Sequence, residues 1–157
     1  DRRKQYTIRT TMIRIANKFD IPRIIEMLWN YHNSGSIPGL EIEDDETANK
    51  ILSTIIAGAG IALVSEHEDE LTGMLLAICN PYLWDNTKLV MNEIAYWVEL
   101  DYRHTTVGYR LLKEYCKLCE EMKLEERIHF FTMSQMEGQE LNYERFGFRP
   151  IEHTWSQ

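Results

Sequence analysis

The stretch Glu93-Ile94-Ala95-Tyr96-Trp97-Val98-Glu99-Leu100-Asp101-Tyr102-Arg103-His104-Thr105-Thr106-Val107-Gly108-Tyr109-Arg110-Leu111-Leu112 decides the reading of this chain. Its first part is apolar and β-compatible, its middle is a polar turn, and its end opens an amphipathic helix. A strand that turns directly into a helix leaves the amides of the turn and first helical turn unpaired, with the positive end of the helix dipole behind them. Such a turn can cradle an anion. Gly108 removes a side chain where a ligand would approach, and Arg103, Arg110 and Lys113 add positive charge. The same residues also read as an ordinary strand-turn-helix with one glycine, and spacing alone leaves both readings open.

Before that stretch, Ile13 to Ala16 alternates and predicts a short strand, with Asp20 as N-cap and Pro22 in the first turn of a helix reaching Tyr31 or His32. Residues 33–39 break the pattern, and the acidic run Glu41 to Glu46 leads into a second helix closed by Gly58 and Gly60. Ile61 to Ser65 and Leu71 to Asn80 predict a hairpin, and Pro81 to Thr87 a loop before a third antiparallel strand, Lys88 to Glu99. Beyond the helix opened by Gly108, Ile128 to Met133 predicts a buried strand, Glu137 to Phe146 a short helix and Phe148 to Trp155 a terminal strand. The expected order is β-α-α-β-β-β-α-β-α-β, an α/β fold with a mixed, mostly antiparallel sheet and helices on both faces.

At 157 residues, 44% hydrophobic and 27% charged, the chain has the composition of a single globular domain. Residues 1–11 read as a tail or an expression leftover, and 12–157 as one domain. Apolar runs such as Leu71 to Cys79 are far shorter than the roughly 18 residues of a membrane span, and no apolar signal segment follows Asp1 to Gln5. Seventeen basic against 25 acidic residues give a net charge of −8, which disfavours a nucleic-acid partner and favours a cationic substrate. The three cysteines, Cys79, Cys116 and Cys119, lack a disulfide framework and point to a reducing, cytoplasmic setting. Cys116 and Cys119 lie within a helical pattern without a second ligand pair, so no metal is expected.

The run Arg103-x-x-Thr106-x-Gly108-x-x-Leu111-Leu112 resembles the coenzyme A loop of the GNAT N-acetyltransferase family, with Thr106 in place of that pattern's first glycine. Asn142-Tyr143-Glu144-Arg145-Phe146-Gly147-Phe148 is similar to the family's Tyr-x-x-x-Gly-Phe motif. Met136 stands where many relatives carry an asparagine, and no contact is assigned to it. The resemblance covers about residues 12–155. It implies acetyl-coenzyme A, a cosubstrate, in a V between the strand ending at Val98 and the strand starting near Ile128. The pantetheine arm would lie along Tyr96, Trp97 and Val98, and the pyrophosphate on Arg103, His104, Thr105, Thr106, Val107, Gly108 and Tyr109. The implied reaction is direct attack of a primary amine on the thioester.

That chemistry needs a base for the amine, a donor for the oxyanion and an acid for the thiolate. Glu93, on the central strand before the V, is the candidate base; a solvated or ion-paired strand carboxylate is the equal alternative. Tyr143 is the implied acid and Tyr96, or its amide, the oxyanion donor. By analogy the acceptor site draws on Tyr31, His32, Glu41, Glu43, Tyr82 and Trp84, whose carboxylates and rings suit a cationic amine. The competing expectations are a non-catalytic acyl-coenzyme A-binding module and an interaction scaffold. The acceptor's identity stays open, as does a homodimer.

Overall fold

The computed structural model describes residues 11–35, 39–135 and 141–157. Residues 1–10 of the expected tail, 36–38 of the loop and 136–140, including Met136, lie outside the described residues. Thr11, also assigned to the tail, is tied to the domain: its carbonyl accepts from Arg110 at 2.7 Å and its hydroxyl meets His67 Nδ1 at 3.2 Å.

Among the described residues five strands form one sheet in the order β1 to β5: β1 (Met12–Ile15), β2 (Gly60–His67), β3 (Glu70–Tyr82), β4 (Asp85–Val98) and β5 (Phe130–Thr132). The first four pair antiparallel, and β5 runs parallel to β4. Helices α1 (Ile21–Ser34) and α2 (Asp44–Ala57) cover one face and α3 (Val107–Leu124) the other. The apolar runs of β2 and β3 are buried on both sides. Ala62, Val64, Met74 and Leu76 face the α1 and α2 side with Ile24, Met27 and Ile51. Ile61, Leu63, Leu75 and Ala77 face α3 with Leu111, Tyr115 and Cys119. Among the described residues no helix is long and apolar enough to cross a membrane.

Local chemistry sets the boundaries. The β2–β3 turn places Glu68 and Asp69 at φ 52° and 66°, the double left-handed pair that a two-residue hairpin requires. Glu43 caps α2 by accepting from the Glu46 amide, and Gly58 ends it at φ 65°. Asp20 does stand at the N-cap of α1, but its carboxylate turns elsewhere. It accepts two bonds from Arg14, at 2.7 and 2.9 Å, and one from the Asn17 amide at 2.7 Å. Arg14 beside it holds its carboxyl below the usual range, which offsets the desolvation of a largely buried charge.

Three local expectations change. The segment Pro81 to Thr87 is not a loop, because β3 pairs through Tyr82 and β4 begins at Asp85, leaving only Leu83 and Trp84 in the turn. Of the helix expected over Glu137 to Phe146, the described part is a single 3-10 turn, Tyr143–Phe146. No terminal strand forms over Phe148 to Trp155: residues 149–157 carry no regular structure and are exposed. Pro150 argues against pairing at its own position, since it has no N–H for a ladder.

Candidate active site

The site arises where β4 loses its neighbour. The β4–β5 ladder has three pairs, Val90 with Phe130, Met91 with Phe131 and Asn92 with Thr132, and there it stops. Tyr115, fully buried on α3, donates to the Thr132 carbonyl at 3.0 Å, so the last carbonyl of β5 is taken by α3. Past Asn92 no pairing joins the two segments, and Glu93 stands at this opening, the splay.

A bulge in β4 sets which groups face the gap. Glu93 pairs with Ala77 and Ala95 with Leu76, so Ile94 is the extra residue. One inserted residue flips every following side chain. Met91 packs against α3, yet Ala95 and Trp97 pack against the α1 and α2 side, which returns Tyr96 and Val98 to the α3 face. The Glu99 amide donates to Thr72 of β3 at 2.9 Å. By alternation, Ala95 and Trp97 also direct their backbone groups to β3, while those of Tyr96 and Val98 point into the splay. Arg103 confirms the direction for Val98: its Nε donates to the Val98 carbonyl at 2.9 Å.

Glu93 is 5% exposed and belongs to no ion pair among the described residues. Its Oε2 accepts from the Ser134 amide at 3.0 Å. Burial pushes its carboxyl up to about 7, with the Ser134 amide and, after it, the Ser134 hydroxyl pulling the other way. Tyr31 on α1, Tyr96 on β4 and Tyr143 surround it: each phenol is raised by burial first and by the Glu93 charge next, Tyr96 to about 12. Tyr143 donates to the Ser134 carbonyl at 3.0 Å, and its ring lies 5.9 Å from Phe148. Phe148 in turn packs on Phe131 of β5 at 5.4 Å, which fixes the 3-10 turn over the splay.

On the opposite wall, Leu100–Tyr102 form a 3-10 turn and the chain enters α3 at Val107. The Val107 amide bonds Thr105 Oγ1 at 3.3 Å. The ladder of α3 begins where the Arg110 amide donates to the Thr106 carbonyl at 2.9 Å. The amides of His104, Thr106, Gly108 and Tyr109 precede it and form a row of donors at the helix start, the arrangement an anionic ligand requires. Gly108 also serves the packing here, because a Cβ on it would meet the Tyr96 hydroxyl at 3.0 Å, and that hydroxyl donates to the Gly108 carbonyl. Its missing side chain therefore lets helix and strand come together here. Arg103 stacks over the Trp97 indole at 4.4 Å. Arg110 is spent on Thr11 and does not add to the cradle.

The structure thus gathers Tyr31, Glu93, Tyr96 and Tyr143 at one place and Arg103 to Tyr109 beside it. Trp97 faces the other side of the sheet, where it is core. His32 rests against Trp29, whose indole donates to Asp44, and Glu41 is exposed in the α1–α2 connection, as is Glu43, occupied as a cap. Tyr82 and Trp84 sit at the β3–β4 hairpin tip, where Tyr82 lies five residues along β3 from Ala77, the partner of Glu93, or about 17 Å of strand. His67 lies against Tyr102 and His129 against Phe130, and His153 is exposed in the irregular C-terminal segment. Ser134 was missed, because its contribution runs mainly through the backbone and leaves no side-chain signature.

Comparison with known proteins agrees with this geometry. The acetyltransferase (GNAT) family profile matches residues 21–148. A search of curated proteins found no match. Among solved structures, the chain is similar to a predicted acetyltransferase from Clostridium acetobutylicum determined with acetyl-CoA, at 16% identity and TM-score 0.73, covering 94% of this chain and 96% of that one. It is also similar to glucosamine-6-phosphate N-acetyltransferase from Arabidopsis thaliana, at 16% identity and TM-score 0.71, covering 94% and 97%. A Trypanosoma brucei acetyltransferase aligns at 19% identity and TM-score 0.66, covering 94% and 99%. With the profile spanning most of its length, the chain belongs to the acetyltransferase (GNAT) family.

Proposed function

We propose that this protein transfers the acetyl group of acetyl-coenzyme A to a primary amine by direct attack, within one domain of residues 12–157. The buried Glu93 carboxylate at the splay, held by the Ser134 amide and lacking a paired cation among the described residues, is the observation that carries the reading. Coenzyme A would lie along the open edge of Tyr96 and Val98, with its pyrophosphate on the amides of His104, Thr106, Gly108 and Tyr109. Arg103, stacked on Trp97, keeps its terminal nitrogens for the phosphates.

In the reaction the amine nitrogen bonds to the thioester carbon, its proton passes to Glu93, and the C–S bond breaks. A base that titrates near neutrality suits this proton transfer. Tyr96 lies beside the developing oxyanion and supplies its outward amide as donor. Tyr143 gives its proton to the departing thiolate. The Glu93 charge raises the Tyr143 phenol, so taking the amine's proton onto Glu93 removes that bias and makes Tyr143 a better acid just when the thiolate needs one. Tyr31 would border the acceptor amine on the α1 side. The net acidic charge suits an amine that arrives as an ammonium ion, and free thiols suit a cytoplasmic setting.

Intact-mass measurement after incubation with acetyl-coenzyme A alone, then with a panel of primary amines, tests this reading. The protein mass should stay unchanged without amine. A stable acetyl adduct on the protein would overturn direct attack, and binding without any turnover would favour a non-catalytic acyl-coenzyme A module.

A further inference from the structure

Ser134 stands two residues past the three-residue ladder of β5, where its backbone is released from the sheet. Both of its main-chain polar groups go to side chains: the N–H to Glu93 Oε2 at 3.0 Å, and the carbonyl to the Tyr143 hydroxyl at 3.0 Å. Its location is itself pinned, since Tyr115 from α3 holds the Thr132 carbonyl two residues earlier and the Thr132 hydroxyl donates to Asn92 at 3.0 Å. Two groups from distant parts of the chain, on β4 and on the C-terminal 3-10 turn, therefore meet through one residue.

We propose that Ser134 is the positioning residue of this site, fixing the Glu93 carboxylate and the Tyr143 hydroxyl relative to each other at the mouth of the splay. The assignment rests on the acetyl-transfer reading above for its catalytic meaning, but the tether itself is independent of that reading. The groups facing Glu93 are Tyr31 from α1, Tyr96 from its own strand, Tyr115 from α3 and Tyr143 from the 3-10 turn, all neutral phenols. Among the described residues no cation compensates the carboxylate, so the donors at Ser134 are what keep it ionisable near neutrality. Losing them moves its midpoint upward. A rise of about one pH unit from neutrality lowers the ionised fraction at pH 7 from about one half to about one tenth, and kcat/KM at that pH about fivefold, with the high-pH plateau retained.

The test replaces the Met133–Ser134 amide by an ester, using the α-hydroxy acid of serine, and compares it with wild type and with Ser134→Ala. Carboxyl NMR of protein carrying 13C-labelled glutamate reads the Glu93 titration directly, with Glu93→Gln assigning the resonance. The expected result is an upward shift of the midpoint of at least half a unit in the ester protein, a smaller shift of the same sign in Ser134→Ala, and a matching displacement of the ascending limb of kcat/KM. An unchanged midpoint in the ester protein overturns the proposal. So does a uniformly lowered plateau with no displaced limb, the pattern of a merely structural residue. If Glu93→Gln itself keeps wild-type turnover, the base assignment fails, and the NMR midpoint still decides whether Ser134 holds the carboxylate.

Discussion

Replacing Glu93 by glutamine separates a base held at a cost in stability from a carboxylate that serves the fold. In the folded protein the carboxyl titrates at about 7, against an ordinary value of 4.5. Between those values the folded state binds the proton and the unfolded state has released it, so stability falls as pH rises through the window and stays lowered above it. A difference of roughly 2.5 units corresponds to about 3 kcal/mol of destabilisation once both states have ionised. Glutamine never ionises and can still accept from the Ser134 amide through its carbonyl oxygen. Glu93→Gln should therefore melt at the same temperature as wild type near pH 4 and several degrees higher near pH 8, at about 2–4 °C per kcal/mol for a domain of this size. Its kcat should fall by about 10²-fold or more, the usual scale for a positioned general base. Melting curves across pH, paired with initial rates, read both quantities. A variant that is less stable at pH 8 and retains turnover would mark Glu93 as a structural carboxylate and overturn its assignment as the base.

Further outcomes follow from the same geometry. Tyr143→Phe keeps the ring against Phe148 while deleting the bond to Ser134 and the proton donor, so acetyl-coenzyme A affinity by calorimetry should hold while kcat falls about 10²-fold. Gly108→Ala places a methyl group 3.0 Å from the Tyr96 hydroxyl, so it should lower stability by about 1–3 kcal/mol in denaturant melts and loosen the α3–β4 contact. Wild-type kcat/KM against pH should rise along a limb centred near 7, because the raised Glu93 carboxyl must ionise before it can act as a base.

Much of the fold was legible in the sequence because its signals are local. The turn residues at Glu68 and Asp69, the acidic start of α2, Gly58 and the two-sided apolar runs of β2 and β3 all carry their meaning within a few residues. The terminal strand was misread against a signal that was present, since Pro150 argues against a paired strand. Pro81, by contrast, suggested a loop yet is accommodated in β3 next to an irregular register. What the sequence could not show depends on pairing between distant strands. The bulge at Ile94 exists only relative to Leu76 and Ala77, and it decides that Tyr96 rather than Ala95 faces the splay. Likewise only the packed helix reveals that Gly108 makes room for the Tyr96 hydroxyl. Glu93 and Tyr143 were found from motifs and position, whereas the residue that joins them acts mainly through its main chain.

Acetyl transfer to an amine at the Glu93 splay is most plainly read as thiol release from acetyl-coenzyme A across a panel of primary amines, with the acetylated amine counted by mass in the same samples. The wild-type protein should release thiol only when amine is present, one thiol for each amide formed, and Glu93→Gln should release almost none. Equal release by the two proteins, or no amide with any amine despite bound acetyl-coenzyme A, would contradict acetyl transfer at this site.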